Sequence, residues 1–180
     1  MKVNEGKLKG TLLIEPKVFR DARGYFFESY SAKKLAEYGI KMNFVQDNCS
    51  YSVKNTLRGL HYQIEPNAQD KLVHVTAGEV FDVVVDVRRN SPGFGQWESF
   101  ILSAENNNHL FVPKGFAHGF CVLSDFAGFV YKCSSYYSPP DERGLLWNDP
   151  DLNIPWPTKN PILSPKDKIL PRLKDSGKDF

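Results

Sequence analysis

The 180-residue chain has no apolar run long enough to cross a bilayer and no charged-then-apolar leader before residue 20. The expected compartment is therefore the cytoplasm, with no membrane among the partners. Charge of one sign is scarce. Lys and Arg number 23 against 21 Asp and Glu, a net charge of +2, which argues against nucleic acid or a polybasic membrane surface. The three cysteines, Cys49, Cys121 and Cys133, lack paired spacing. Cys121 and Cys133 lie in apolar runs and read as buried, reduced thiols. Neither a Gly-x-x-x-x-Gly-Lys-Ser/Thr loop nor a Gly-x-Gly-x-x-Gly fingerprint is present, so nucleotides are not read by either common route. Low-complexity tracts, internal repeats and a dividing linker are missing too. With 41% hydrophobic and 24% charged residues, 1–180 is expected to form one soluble domain with a substantial core.

Aromatic residues are plentiful: at 13% of the chain they favour strands and a ring-lined interior. Short apolar or alternating runs recur between turn residues, the pattern of an all-β sandwich or barrel. Strands are expected over 10–19, 24–30, 43–51, 56–63, 71–77, 79–88, 97–102, 109–112, 115–123 and 127–136. The run Val80-Phe81-Asp82-Val83-Val84-Val85-Asp86-Val87 is too apolar for a surface strand. One helix is expected over 32–38, capped by Ser31 and stopped by Gly39. Beyond Tyr137, Pro139, Pro140, Pro150, Pro155, Pro157 and Pro161 rule out regular strands, so the tail from about residue 138 is expected to wrap the barrel as loops. Near its end Ser164 and Pro165 form a good N-cap and N1 pair for a short helix beside Lys166 and Asp167.

Two histidine-bearing segments stand out, Arg58-Gly59-Leu60-His61-Tyr62-Gln63 and Val112-Pro113-Lys114-Gly115-Phe116-Ala117-His118-Gly119-Phe120. Together they resemble the two half-motifs of a cupin barrel, whose strand-borne histidines point into one pocket. A metal-binding cupin carries a second histidine where this chain has Gln63. Zinc or iron would want three or four ligands, Gln63 is a poor donor, and Glu65 is followed by Pro66, so no metal is expected. A lone histidine such as His61 is ordinarily a satisfied core residue; the Pro-x-Gly-x-x-His setting of His118 weakens that reading. Lys71 opens a strand whose remaining pattern is apolar. On an edge it is an ordinary surface lysine; facing inward it is a fixed cation able to stabilise an oxyanion. His74, three positions on, has the opposite facing and reads as structural. Tyr131 reads as a core tyrosine or as a proton donor near the pocket. Arg23, Arg58 and Lys166 are cations that could meet around a phosphate, for which the arginine fork is suited, although scattered arginines are usually solvated.

Taken in order, a longer set of segments resembles the dTDP-4-dehydrorhamnose 3,5-epimerases, metal-free cupin enzymes of the deoxysugar pathway. It comprises Glu15-Pro16-Lys17-Val18-Phe19, Asp21-Ala22-Arg23-Gly24-Tyr25-Phe26-Phe27-Glu28-Ser29, Phe44-Val45-Gln46-Asp47-Asn48 and Leu57 through Gln63. It continues with Lys71-Leu72-Val73, Gly78-Glu79-Val80-Phe81-Asp82-Val83, Val112 through Phe120, Trp147-Asn148-Asp149 and Leu163-Ser164-Pro165-Lys166-Asp167. The resemblance implies an all-β, cupin-type jelly-roll barrel or sandwich with short peripheral helices, assembled as a homodimer. It implies epimerisation of a dTDP-linked 4-keto-6-deoxyhexose at C3 and C5, with no cofactor. The general base falls on His61, its Asp partner on Asp167, the enolate-stabilising lysine on Lys71 and the proton-donating tyrosine on Tyr131. Substrate-holding positions fall on Arg23, Glu28, Gln46, Asn48, Arg58, Lys71, His118, Glu142 and Lys166.

The chemistry agrees with that assignment. Hydrogens beside the C4 ketone are acidic because the carbanion spreads onto the carbonyl oxygen. Inversion needs a base on one face and an acid on the other, and an unperturbed histidine, pKa about 6.5, suits the first task. A mono-epimerase of a related nucleotide-linked ketosugar, a metal-dependent cupin enzyme using His61 and His118, and a non-catalytic sugar-nucleotide binder are the alternative readings.

Overall fold

Thirteen strands form among the described residues of the computed structural model, which covers 1–177 and 180. They are β1 (Lys2–Glu5), β2 (Leu12–Glu15), β3 (Phe19–Asp21), β4 (Gly24–Phe26), β5 (Gln46–Val53), β6 (Leu57–Gln63) and β7 (Lys71–Ala77). The remainder are β8 (Glu79–Asp86), β9 (Trp97–Ser103), β10 (His109–Val112), β11 (Phe116–Val122), β12 (Phe126–Cys133) and β13 (Glu142–Gly144). A six-stranded sheet in the order β1-β2-β10-β7-β12-β5 faces a five-stranded sheet in the order β13-β6-β11-β8-β9, and β3-β4 is a separate hairpin. The named strands pair antiparallel throughout. The architecture is a cupin-type jelly roll.

Two strands match their expected bounds, 71–77 and 109–112. The expected strand over 10–19 is shorter: β2 ends at Glu15, ahead of Pro16, which has no N–H for the ladder. β1 was not expected; it completes that edge by pairing with β2. The tail contains a regular strand despite its prolines. A proline constrains itself and the residue before it, and β13 occupies the proline-free stretch between Pro140 and Pro150, pairing with β6.

The single α-helix among the described residues, α1 (Ala32–Ala36), is shorter than 32–38. Ser31 caps it by accepting from the Lys34 amide at 3.5 Å. Its end tightens: the Tyr38 and Gly39 amides reach back only three residues, and the Ile40 amide bonds the Leu35 carbonyl at 3.1 Å. With Gly39 at φ +85° this is a Schellman stop, closed by the apolar pair Leu35 and Ile40.

The core explains why β8 reads as continuously apolar. Val80 and Val84 face the sandwich interior with Val73, Val75, Leu110, Phe120 and Phe129. Val83 and Val85 face the other way and are covered by the tail through Leu145, Leu152, Ile154 and Leu173. Each buried side chain of this size contributes about 1.5–3 kcal/mol. Four together rival the whole net stability of a domain, about 5–15 kcal/mol, so the tail is part of the fold rather than an appendage. On the opposite side, α1 and the segment around Tyr30 and Phe44 cover Ile14, Leu72 and Phe111 of the six-stranded sheet.

Candidate active site

The space lined by β5, β6, β7, β11 and β12 holds most of the chemistry-bearing residues. Two adjoining cavities of about 300 and 490 Å³ share Asn48, His61, Lys71 and Tyr131 as walls, a size suited to a small-molecule site. The first is also lined by Gln46, Gln63, Tyr137 and Glu142, the second by Arg58, His118, Lys166 and Asp167. A larger open groove of about 710 Å³ lies elsewhere, beside Lys7 and Arg88. There Arg88 is already bound to Asp86 at 2.8 Å, leaving no matched acid and base.

Strand parity alone would put Arg58 and His61 on opposite faces of β6. A bulge opposite β11, between His118 and Phe120, resolves this. It requires Gly59, held at φ +130°, where a Cβ would come within 2.5 Å of the Gly119 Cα. Both side chains consequently reach the same cavity.

His61 Nε2 lies 2.6 Å from Asp167 Oδ1, although the two are 106 residues apart. Asp167 is nearly fully buried and starts a 3₁₀ turn, Asp167–Ile169. This single turn stands in place of the expected short helix, and the Ser164 hydroxyl accepts from the Asp167 amide at 3.1 Å. Burial pushes the Asp167 carboxyl up, but the His61 bond and charge, Ser164 and the Gly59 backbone outweigh it and hold the carboxyl below its ordinary range. An ionised Asp167 accepts a hydrogen bond from Nε2–H, which keeps that proton on Nε2 and leaves the Nδ1 lone pair as the basic site.

Lys71 and Tyr131 come from the six-stranded sheet, opposite His61 on the five-stranded one. Lys71 faces inward, and its Nζ donates to the His61 carbonyl at 3.4 Å. Burial lowers the Lys71 pKa, opposed by Cys133, Glu142 and Asp82. Burial also raises that of Tyr131, with Cys133 and Glu142 adding to it and Arg58 opposing. The phenol therefore stays protonated through neutrality, fit to give a proton. His74 turns to the other face, as expected, where its ring stacks on His109 at 4.4 Å.

His118 is bound by a group that sequence reasoning did not single out. Its Nε2 lies 2.9 and 3.0 Å from the two oxygens of Asp82, which is fully buried. Burial raises the Asp82 pKa, against the lowering influence of His118 and Lys71. The signal was present: Asp82 shares inward parity with Val80 and Val84, and a carboxylate there needs a partner. Tyr137 was also missed. Its amide donates to Gln46 Oε1 and its hydroxyl to Glu142 Oε2, both at 2.9 Å. Glu142 in turn takes Lys166 Nζ at 2.5 Å, and Gln46 Nε2 bonds Asn48 Oδ1 at 3.0 Å.

Arg23 and Glu28 are not brought to this cavity within one chain. Arg23 is exposed on the β3–β4 hairpin and paired with Asp21 at 2.6 Å. Glu28 pairs with Lys34 at 2.8 Å, over the outer face of the six-stranded sheet. Among the described residues, no cluster of three His, Cys, Asp or Glu could hold a metal.

Comparison with known proteins extends this picture. Residues 5–175 match the family model described as dTDP-4-dehydrorhamnose 3,5-epimerase. An enzyme of that name from Shigella flexneri is 56% identical over 168 residues, covering 93% of each chain. A Legionella pneumophila 3,5-epimerase, solved with dTDP-4-keto-L-rhamnose, superposes with a TM-score of 0.93 at 50% identity, covering 96% of this chain and 93% of that one. A 3′-monoepimerase from Streptomyces bikiniensis, solved with dTDP-quinovose, superposes with a TM-score of 0.88 at 36% identity, covering 93% and 86%.

Proposed function

The chain belongs to the dTDP-4-dehydrorhamnose 3,5-epimerase family, and on that premise we propose how its cavity carries out the reaction. The activity is an isomerase one: dTDP-4-dehydro-6-deoxy-D-glucose becomes dTDP-4-dehydro-L-rhamnose by inversion at C3 and C5. His61 Nδ1 removes the proton from the carbon beside the ketone, and the electron pair moves to the C4 oxygen. The Lys71 ammonium stabilises the enolate, and Tyr131 returns a proton to the opposite face of the carbon. The resulting imidazolium and phenolate reset by exchange with water. Gln46, Asn48, Arg58, His118, Glu142 and Lys166 hold the substrate, and the whole chain acts as one unit. The single observation carrying this reading is the placement of a His–Asp pair and the Tyr131 phenol on opposite walls of one cavity.

Turnover in D₂O tests it. The expected result is one deuterium at C3 and one at C5 of the product, read by NMR; exchange at neither carbon sinks the proposal. Deuterium at one position alone would favour the second reading, a mono-epimerase, for which the Streptomyces bikiniensis likeness is the motive.

A homodimer belongs to the same proposal. Phe19, Tyr25 and Phe26 are 53, 50 and 70% exposed on the hairpin that carries Arg23, an apolar surface that a second copy would cover. A partner's hairpin would also explain how Arg23, expected at the substrate, lies outside its own cavity. Light scattering should give twice the 20.5 kDa chain mass; a monomer at working concentration overturns it. A cytoplasmic setting is part of this reading, supported by three free thiols, Cys49, Cys121 and Cys133.

A further inference from the structure

Gln63 occupies the β6 position where a metal-binding barrel of this type carries its second histidine, and its amide is occupied elsewhere. The residue is only 4% exposed. Nε2 donates to the Asn67 carbonyl at 2.6 Å and to the Tyr136 carbonyl at 3.1 Å, while Oε1 accepts from the Ser138 amide at 2.9 Å. Two carbonyls demand two donors and one N–H demands an acceptor, which is the inventory of a primary amide. A carboxylate would turn lone pairs on two carbonyl oxygens, and a thioether would leave all three backbone groups without that partner.

The loop held in this way contains Tyr137, whose amide fixes Gln46 and whose hydroxyl fixes Glu142. Glu142 also lies directly opposite Gln63 in the β13–β6 register. One buried amide thus ties the strand that bears His61, two residues away, to the rim formed by Gln46, Tyr137 and Glu142. We infer that Gln63 is a positioning residue: it clamps the 136–138 loop so that this rim is preformed for the sugar nucleotide, and it sets substrate affinity rather than the proton-transfer step. The inference rests on the cavity being the sugar-nucleotide site proposed above.

The test compares wild type with Gln63→Glu and Gln63→Met. It reads KM and kcat on dTDP-4-dehydro-6-deoxy-D-glucose, and dTDP binding by calorimetry without turnover. Loss of buried bonds of this kind predicts a rise of roughly 10- to 100-fold in KM and in the dTDP Kd, with kcat changed by less than about threefold and a cooperative thermal transition retained. Gln63→Met buries no new charge and keeps the test available if Gln63→Glu does not fold. A fall in kcat at unchanged KM, unchanged dTDP affinity, or failure of both variants to fold overturns the inference. If wild type binds dTDP but exchanges no deuterium, the epimerase reading fails; weaker dTDP binding by the variants would then still uphold the clamp.

Discussion

Replacing His61 with glutamine is expected to lower kcat by about 10²–10⁴, the usual contribution of a positioned general base, and to abolish deuterium exchange at C3 and C5 together. The joint loss is the informative part. His61 is the more accessible of the two cavity histidines, with 28% of its side chain exposed and one ring nitrogen held by Asp167 at 2.6 Å. The other cavity histidine, His118, has its Nε2 on a fully buried Asp82 and only 7% of its surface exposed, which suits it to holding substrate. Glutamine is the informative replacement because its side-chain amide nitrogen overlays Nε2, the atom that meets Asp167, and can still donate to it, so the buried carboxylate is not stranded without a partner. The measurement is single-turnover exchange followed by NMR at each carbon. Exchange surviving at one carbon would mean that a second base serves it, and activity above a tenth of wild type would remove His61 from the role.

Lys71→Met should cost about 10²–10³ in kcat, the range for removing one preorganised oxyanion donor, while leaving dTDP binding within a few-fold. Lys71 also makes a pH prediction. Burial pulls its pKa below the ordinary 10.5, with Cys133, Glu142 and Asp82 opposing. The cation is therefore lost as pH rises through that lowered value, and kcat should fall on the alkaline side earlier than an ordinary lysine would allow. The Tyr131 pKa moves in the opposite direction, up from 10.0, so the phenol is not the first to titrate. Lys71→Arg keeps its charge at high pH and should move the alkaline limb upward even if its longer fork lowers the rate. A limb that stays in place in Lys71→Arg would assign it to another group.

The two residues differ in how visible they were. Lys71 sits at the head of Lys71-Leu72-Val73-His74-Val75, where alternation puts it on the face of Val73 and Val75, in the core, and puts His74 on the other. Inward facing could be read from that period of two. The joint presence of Arg58 and His61 in one cavity could not, because simple alternation predicts the reverse. Only the Gly59–Gly119 approach, which sets the β6–β11 register, reveals the bulge. β13 was hidden for a related reason: three residues among prolines carry no period, and the strand exists because β6 offers it an open edge.

The sequence by itself determined the all-β jelly roll, the order of its main strands and the types of residue available for proton transfer. Side-chain alternation and turn chemistry are local properties, written within a few positions of each residue. The tertiary structure alone decided which partner each group received. His61 meets Asp167 across 106 positions and His118 meets Asp82 across 36. Gln63 turned to the 136–138 loop, and Arg23 and Glu28 were left outside the cavity of their own chain. Such pairings depend on sheet register and on where the tail packs. Both are set by long-range burial and hydrogen-bond satisfaction, which no local window of sequence contains.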